Sequence, residues 1–298
     1  MTSIGSITPR ETGRDTMERA RARAELIPDL LVEAKHVANT IFSGWHGRRK
    51  RGIGENFWQF RPYVPGENMS RIDWRRSARD EANIYVQDKE WQATHTVWLW
   101  VDESPSMLFK SNQASVSKQS RSLVLAFAMA ELLARSGELV GWIGLTQPIL
   151  SRKAADKLAE ALILSPPVLE IPEKPELGKY TDIILFSDFL DPVETNTNKL
   201  TSLFKLGARG HIVQMIDPVE EVFPYTGRVE FRDPETAQKF TIGNAQSLKQ
   251  DYEQEVASRS EALRQSTNKL GWSYTKHHTD KLASEVLARL HLQLSEGS

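Results

Sequence analysis

The sequence contains no cysteine. That absence excludes disulfides, thiolate metal sites and cysteine nucleophiles, and it agrees with a reducing compartment. Long apolar runs are also missing. The strongest, Val97–Val101 and Leu123–Ala134, fall well short of the roughly 18–20 residues that span a bilayer. The first residues, Met-Thr-Ser-Ile-Gly-Ser-Ile-Thr-Pro-Arg, do not have the charged-then-apolar order of a secretory signal, so a soluble, cytoplasmic protein is expected. No charge sign dominates: 38 Lys and Arg stand against 39 Asp and Glu, for a net charge of −1. Neither nucleic acid nor an anionic membrane is advertised by the molecule as a whole, so any such partner must be met by a local cluster. The motifs Gly-x-Ser-x-Gly, the P-loop and His-Glu-x-x-His are absent, which removes the main support for a serine hydrolase, a nucleotide hydrolase or a zincin.

What is present is a chain of 298 residues, 40% hydrophobic and 26% charged, enough for one main domain of about 200 residues and an appended segment. Residues Met1–Thr8 read as a disordered tail. From about Pro9 to Phe42 the spacing of Leu26, Leu30, Leu31, Ala34, Val37 and Ile41 predicts an amphipathic helix, broken or kinked at Pro28. These make a first segment, 1–42. Residues 43–94 change in texture: glycines, prolines and six aromatics surround nine Arg or Lys between Ser43 and Glu81, and the segment ends in a strand near Ile84, Val86 and Asp88. Residues 95–298 alternate strand and helix. Strands are expected at Val97–Val101, Leu139–Leu145, Thr181–Ser187, His211–Ile216 and Gly271–Tyr274. Helices are expected at Ser115–Arg135, Lys153–Leu164, Val193–Leu206, Ser247–Leu270 and Asp280–Leu292, with an inserted hairpin at about 217–244. Such alternation implies right-handed crossovers, an α/β fold and a mostly parallel sheet with helices on both faces.

In an open parallel sheet, ligands bind at the carboxyl ends of the strands, where strand order reverses. The first strand runs into Asp102-Glu103-Ser104-Pro105-Ser106, and a later one into Ser187-Asp188. A carboxylate and two hydroxyls spaced by two can converge on a hard cation that prefers oxygen ligands near 2.1 Å. Asp188 offers a second carboxylate from the matching edge. The same residues are also ordinary turn and cap formers, and a helix begins a few residues on. Trp98 and Trp100, alternating on the first strand, are expected in the core. His277, His278 and Asp280 are read as surface and loop residues, because adjacent histidines on a strand point to opposite faces.

Asp102-x-Ser104-x-Ser106 after an apolar strand, with Asp188 downstream, resembles the metal-ion-dependent adhesion site of von Willebrand factor A-type domains. The run Phe60-Arg61-Pro62-Tyr63-Val64-Pro65-Gly66-Glu67-Asn68-Met69-Ser70-Arg71-Ile72-Asp73-Trp74-Arg75-Arg76-Ser77-Ala78-Arg79 resembles the signature of the bacterial domain-of-unknown-function 58 family. The signature residues are Arg61, Tyr63, Pro65, Gly66, Glu67, Arg71, Asp73, Trp74 and Arg79. The resemblance implies a von Willebrand factor A-like (Rossmann-like) domain that holds Mg2+ or Mn2+ through Asp102, Ser104, Ser106 and Asp188. It also implies a MoxR-type AAA+ ATPase and protein clients as partners, in chaperone-like maturation. Association with membrane proteins would be peripheral. Glu67 stands where the family commonly has Asp. The hydroxyl ligand of the second adhesion loop has only a weak match in Ser151, beside the opposing charges of Arg152 and Lys153.

The basic, aromatic segment His46–Arg79 allows a nucleic-acid reading through phosphate contacts and stacking. Against it stands an ordered extension in which arginines pair with acids such as Asp73 or Glu67 and aromatics pack on the sheet. Arg48–Arg51 is the stretch expected to remain exposed. The leading reading is a non-enzymatic, metal-dependent scaffold. The alternatives are a phosphoryl or ester hydrolase using Asp102 and Asp188, and a nucleic-acid binder.

Overall fold

The computed structural model describes residues 13–45, 59–65, 69, 72–80, 83–88, 95–172, 175–178, 181–233 and 238–295. The tail Met1–Thr8, the basic run His46–Arg51, and Gly66, Glu67 and Arg71 lie outside them. The chain divides into two units, one of Met1–Ser43 with His95–Ser298 and one of Gly44–Thr94.

In the larger unit the helix α1 (Gly13–Trp45) precedes the strands β3 (Thr96–Val101), β4 (Leu139–Trp142), β5 (Thr146–Ile149), β6 (Thr181–Ser187), β7 (Ala208–Ile216) and β10 (Ser273–His278). The smaller unit holds the antiparallel pair β1 (Gln59–Pro62) and β2 (Tyr85–Asp88), joined by the short helix α2 (Trp74–Ser77). The six strands of the larger unit form one sheet in the order β10-β7-β6-β3-β4-β5. All neighbours are parallel except β4 and β5. The helices are α3 (Lys118–Ser136), α4 (Ala154–Leu164), α5 (Val193–Lys205), α6 (Pro218–Val222), α7 (Lys249–Lys269) and α8 (Ala283–Ser295). A separate hairpin pairs β8 (Val229–Arg232) with β9 (Lys239–Ile242). This is an α/β fold with a mostly parallel central sheet flanked by helices. Among the described residues no helix is long and apolar enough to cross a membrane.

Period-two alternation divides the core between the two faces. Val97, Leu99 and Val101 of β3, with Ile184 and Phe186 of β6, pack with α1, α3, α4 and α8. Trp98 and Trp100, with Ile183 and Leu185, pack with Leu200 and Leu203 of α5 and Leu263 of α7. Both tryptophans are thus core residues. Gly210 of β7 makes room for the Trp272 ring: a Cβ there would lie 1.9 Å from a ring carbon.

Four expectations need correction. The helix α1 runs unbroken through Pro28, held on both sides of the proline by buried Ile27 and Leu30. Its buried stripe is Ile27, Leu30, Ala34, Ala38 and Ile41, whereas Leu26 is 50% exposed. The apolar run after α3 is a hairpin: β4 stops at Trp142 and β5 follows, its Pro148 tolerated because β5 is an edge strand. The last strand continues to His278, so His277 and His278 are strand residues and His277 is buried. Burial first, then the charges of Arg121 and His278, push the His277 pKa down to about 4. His278 meets Glu221 instead, at 2.5 Å.

At the amino edge of the sheet the buried Asp182 carboxylate accepts two hydrogen bonds from Arg209, at 2.6 and 2.5 Å. His95 Nε2 lies 3.2 Å away and His211 Nε2 3.8 Å. Burial opposes ionisation of Asp182, but His211, His95 and Arg209 hold its pKa well below the usual carboxylate range. A lowered pKa contributes stability above the unfolded value of about 3.9, which is lost as pH falls through the native value. Asp182→Asn should therefore cost about 3 kcal/mol at neutral pH by urea unfolding, as breaking a buried ion pair does. The difference from wild type should shrink as pH drops below about 4. A second substitution probes the packing: Gly210→Ala should destabilise by about 1–3 kcal/mol in the same assay, because the Trp272 ring must shift.

Candidate functional site

The register of β3 on β6 brings two loops side by side. Trp100 pairs with Leu185 and Val101 with Phe186, and Asp102 N–H continues the ladder by donating to Phe186 carbonyl at 2.9 Å. This is where strand order reverses, β3 lying between β4 and β6. Asp102 is therefore level with Ser187, and the Ser187 hydroxyl donates to Asp102 Oδ2 at 2.6 Å. Asp102 Oδ1 accepts the Ser104 N–H at 2.8 Å, folding the loop back over the strand end. A 3-10 turn at Pro105–Leu108 then presents Ser106. Its hydroxyl donates to Asp188 Oδ2 at 2.8 Å and lies 3.1 Å from the Ser104 hydroxyl. Ser104, Ser106 and Asp188 are thus linked through their side-chain oxygens, with Asp102 joined to them by the Ser104 N–H. Ser151 is engaged at the start of α4, where its hydroxyl accepts the Lys153 N–H at 3.2 Å.

The second loop is tightly held. Phe189, directly after Asp188, has a φ of 54°, a left-handed conformation that bulky residues rarely adopt. The Asn196 amide donates to the carbonyls of Phe189 and Asp191, and Arg259 donates to those of Leu190 and Asp191. Beside Asp188 opens a mostly apolar cleft of about 120 Å³ between α5 and α7, reaching Val193, Tyr252 and Leu263.

Lys118, from the first turn of α3, was not anticipated from the sequence. Its fully buried ammonium donates to Asp188 Oδ2 at 2.9 Å and to Glu220 Oε1 at 2.5 Å. Burial works against the Lys118 charge, but Asp188 and Glu220 outweigh it and raise its pKa. Burial first, then the neighbouring Asp188, push the Asp102 pKa up to about 6. Burial likewise raises that of Glu220, with Lys118 opposing. Two carboxylates, Asp188 and Glu220, thus share one ammonium, while Asp102 is held by Ser187 and the Ser104 N–H without a cation.

Glu103, between two site residues, points away from them. Its carboxylate accepts Arg23 Nη1 at 2.6 and 2.7 Å and the Val168 N–H at 2.8 Å. Both side chains of the ion pair are almost fully buried. Arg23 Nη2 also donates to the carbonyls of Leu162 and Ser165 at the end of α4, where carbonyls lack intrahelical partners. One guanidinium therefore joins α1, the site loop and α4. Its position four residues before Ile27 puts a charge on the buried stripe of α1, a signal that was available in the sequence.

In the smaller unit, Asp73 caps α2: its Oδ1 accepts the Arg76 N–H at 3.0 Å, and no arginine side chain pairs with it among the described residues. Trp74 is 63% exposed. The expected arginine pairing of Asp73 and packing of Trp74 are thereby corrected, while the alternative acid Glu67 lies outside the described residues. Tyr63 is half-buried, its N–H donating to the Ile84 carbonyl at 2.7 Å; Arg61 lies on β1 and Pro65 in an exposed turn.

An α/β chain with an acid-and-hydroxyl site at the switch point of its sheet describes a broad class. Within it, the model of the family "Protein of unknown function DUF58" matches residues 59–262, more than half of the chain, and the protein belongs to that family. No curated protein matches. Among solved structures, the conserved hypothetical protein BatB from Bacteroides thetaiotaomicron is 14% identical, with a TM-score of 0.37, covering 68% of this chain and 99% of its own. An aerotolerance-related membrane protein from Bacteroides fragilis NCTC 9343, with multiple mutations to serine, is 15% identical, with a TM-score of 0.34 and the same coverage. At that level the likeness says nothing of function.

Arg23→Met should destabilise the protein by about 3–5 kcal/mol in urea unfolding followed by circular dichroism, because Glu103 is left buried without its countercharge. Adding Glu103→Gln should recover part of the loss. Two single substitutions whose costs simply add would disprove the coupling.

Proposed function

We propose that this protein is a non-enzymatic, metal-dependent binding scaffold whose larger unit is von Willebrand factor A-like, and that the carboxyl edge of β3 and β6 is its binding face. The observation that carries this reading is the chain of contacts that links Asp102, Ser104, Ser106 and Asp188 along that edge. The domain assignment is supported by the sheet order, which is the 3-2-1-4-5-6 order of doubly wound folds with an antiparallel strand at one edge.

The donor set fits a hard divalent cation such as Mg2+ or Mn2+. All its atoms are oxygens. The separations of 3.1 and 2.8 Å from the Ser106 hydroxyl to Ser104 and to Asp188 match the roughly 3.0 Å edge of an octahedron with bonds near 2.1 Å. Two negative charges remain uncompensated when Lys118 is set against Asp102, Asp188 and Glu220. Ser104, Ser106 and Asp188 would hold the ion, with Asp102 behind them. When bound, it would supply a Lewis-acidic position for a carboxylate of a partner. The protein's own part is to orient: Ser187 and the Ser104 N–H fix Asp102, while Asn196 and Arg259 fix the loop that follows Asp188. Lys118 leaves Asp188 only partly neutralised.

The partner in this reading is a MoxR-type AAA+ ATPase or its client, in the cytoplasm, an inference resting on the family resemblance. Calorimetric titration of Mg2+ and Mn2+ into metal-free protein should show binding that disappears in Asp102→Ala and Ser106→Ala variants still folded by circular dichroism. Generic phosphoesters should not be turned over. Absence of binding to the wild type would overturn the metal-dependent reading, and turnover lost in Asp188→Ala would replace it with a hydrolase.

A further inference from the structure

The described residues of the family signature build a receptor of their own. The short helix α2 is fastened to β2 by two contacts: Asp73 N–H donates to the Tyr85 carbonyl at 2.9 Å and the Tyr85 N–H to the Ser77 hydroxyl at 2.8 Å, while the Ser77 hydroxyl donates within the helix to the Asp73 carbonyl at 2.8 Å. Arg75, Arg76 and Arg79 line one open groove with Asp73 and Asp80. The two aspartates are already engaged. Asp73 caps α2, and Asp80 Oδ2 accepts the Tyr85 hydroxyl at 2.6 Å and the Asn83 amide at 3.2 Å.

Arg76 is the best defined of the three. Its guanidinium carbon sits 4.2 Å from the Phe60 ring centroid and 5.2 Å from that of Tyr85. This cation–π contact holds the guanidinium beside the two rings, and its planar fork is the group that takes a carboxylate in bidentate fashion. Among the described residues none of the three guanidinium groups has a hydrogen bond or an ion pair with an acid. Trp74, on the same short helix, is 63% exposed. Arginine and tryptophan exposed on one short helix are residue types enriched at protein interfaces and at their energetic anchors.

We propose that this groove is a second binding surface, which docks an acidic segment of a partner protein carrying glutamate or aspartate beside an apolar side chain. Arg76 takes a carboxylate through its stacked fork, Arg75 and Arg79 hold neighbouring acids, and Trp74 covers the apolar side chain. A nucleic-acid strand suits the groove less well. The Phe60 and Tyr85 rings are occupied by Arg76 rather than open to bases. The proposal stands independently of metal binding at the sheet edge.

The test uses the full chain, in about 0.15 M salt so that diffuse attraction is screened. Fluorescence anisotropy is recorded with three labelled probes: a peptide alternating glutamate and leucine, the same peptide with glutamine for glutamate, and a single-stranded oligonucleotide. The glutamate peptide should bind and the glutamine peptide should not. Arg76→Lys, which keeps the charge but loses the flat fork, should weaken binding about tenfold, or 1.4 kcal/mol. Arg79→Glu should abolish it. Should Arg76→Lys disturb folding by circular dichroism, Arg79→Gln, at an exposed side chain without a partner, supplies the comparison and should weaken binding severalfold. The proposal fails if the glutamate peptide does not bind, if the glutamine peptide binds equally, if the oligonucleotide binds more tightly, or if the folded arginine variants bind like wild type.

Discussion

Parallel pairing of β3 with β6 is the constraint on which the rest of the candidate site depends. A slip of one residue would exchange the faces of every side chain on β6. Ile184 and Phe186 would leave the cluster beneath α3, and Ile183 and Leu185 would leave Trp98 and Trp100. The core therefore enforces the register, and the register sets Asp102 level with Ser187 and one residue from Asp188. The loops need little independent stability to arrive there, because their starting points are fixed by buried apolar strands.

Electrostatics then distinguishes the two ends of the sheet. At the amino edge, Asp182 is surrounded by Arg209, His95 and His211, and its carboxylate is fully compensated. At the carboxyl edge, Asp188 and Glu220 share Lys118 and Asp102 has no cation beside it, while burial first, and the neighbouring Asp188 after it, raise the pKa values of Asp102 and Glu220. One end behaves as a structural clamp and the other retains an unmet demand for positive charge. Perturbed acids in a strand-end cleft are a common mark of function.

Much of this was legible in the sequence, for definite reasons. Val97–Val101 and Thr181–Ser187 are short apolar runs bounded by turn residues, so their ends, and with them Asp102 and Asp188, could be placed. β5 escaped notice because Thr146–Ile149 is partly polar and contains a proline, which only an edge strand tolerates. β10 looked shorter than it is because Lys276, His277 and His278 interrupt the apolar pattern, although His277 is buried in neutral form. Lys118 and Glu220 gave no local signal at all, since their meeting depends on how α3 and α6 pack at the sheet edge. Arg76 was readable as a basic residue but not as a stacked one, since its rings come from β1 and β2, well separated in sequence.

The placement of α1 bears on the order in which the chain folds. It is the earliest described element, yet its buried stripe shares a cluster with α8, the latest, and its Arg23 must find Glu103 and the end of α4. At translation rates of about 5–20 residues per second, the stretch between α1 and α8 takes roughly ten to fifty seconds to emerge. Until α3 and α4 have emerged Ile27, Leu30 and Ile41 stay uncovered, and until α8 follows their cluster is incomplete. A ribosome-bound chain would therefore present an amphipathic helix as a transient target for chaperones, and closure of the core would coincide with release of the last helix.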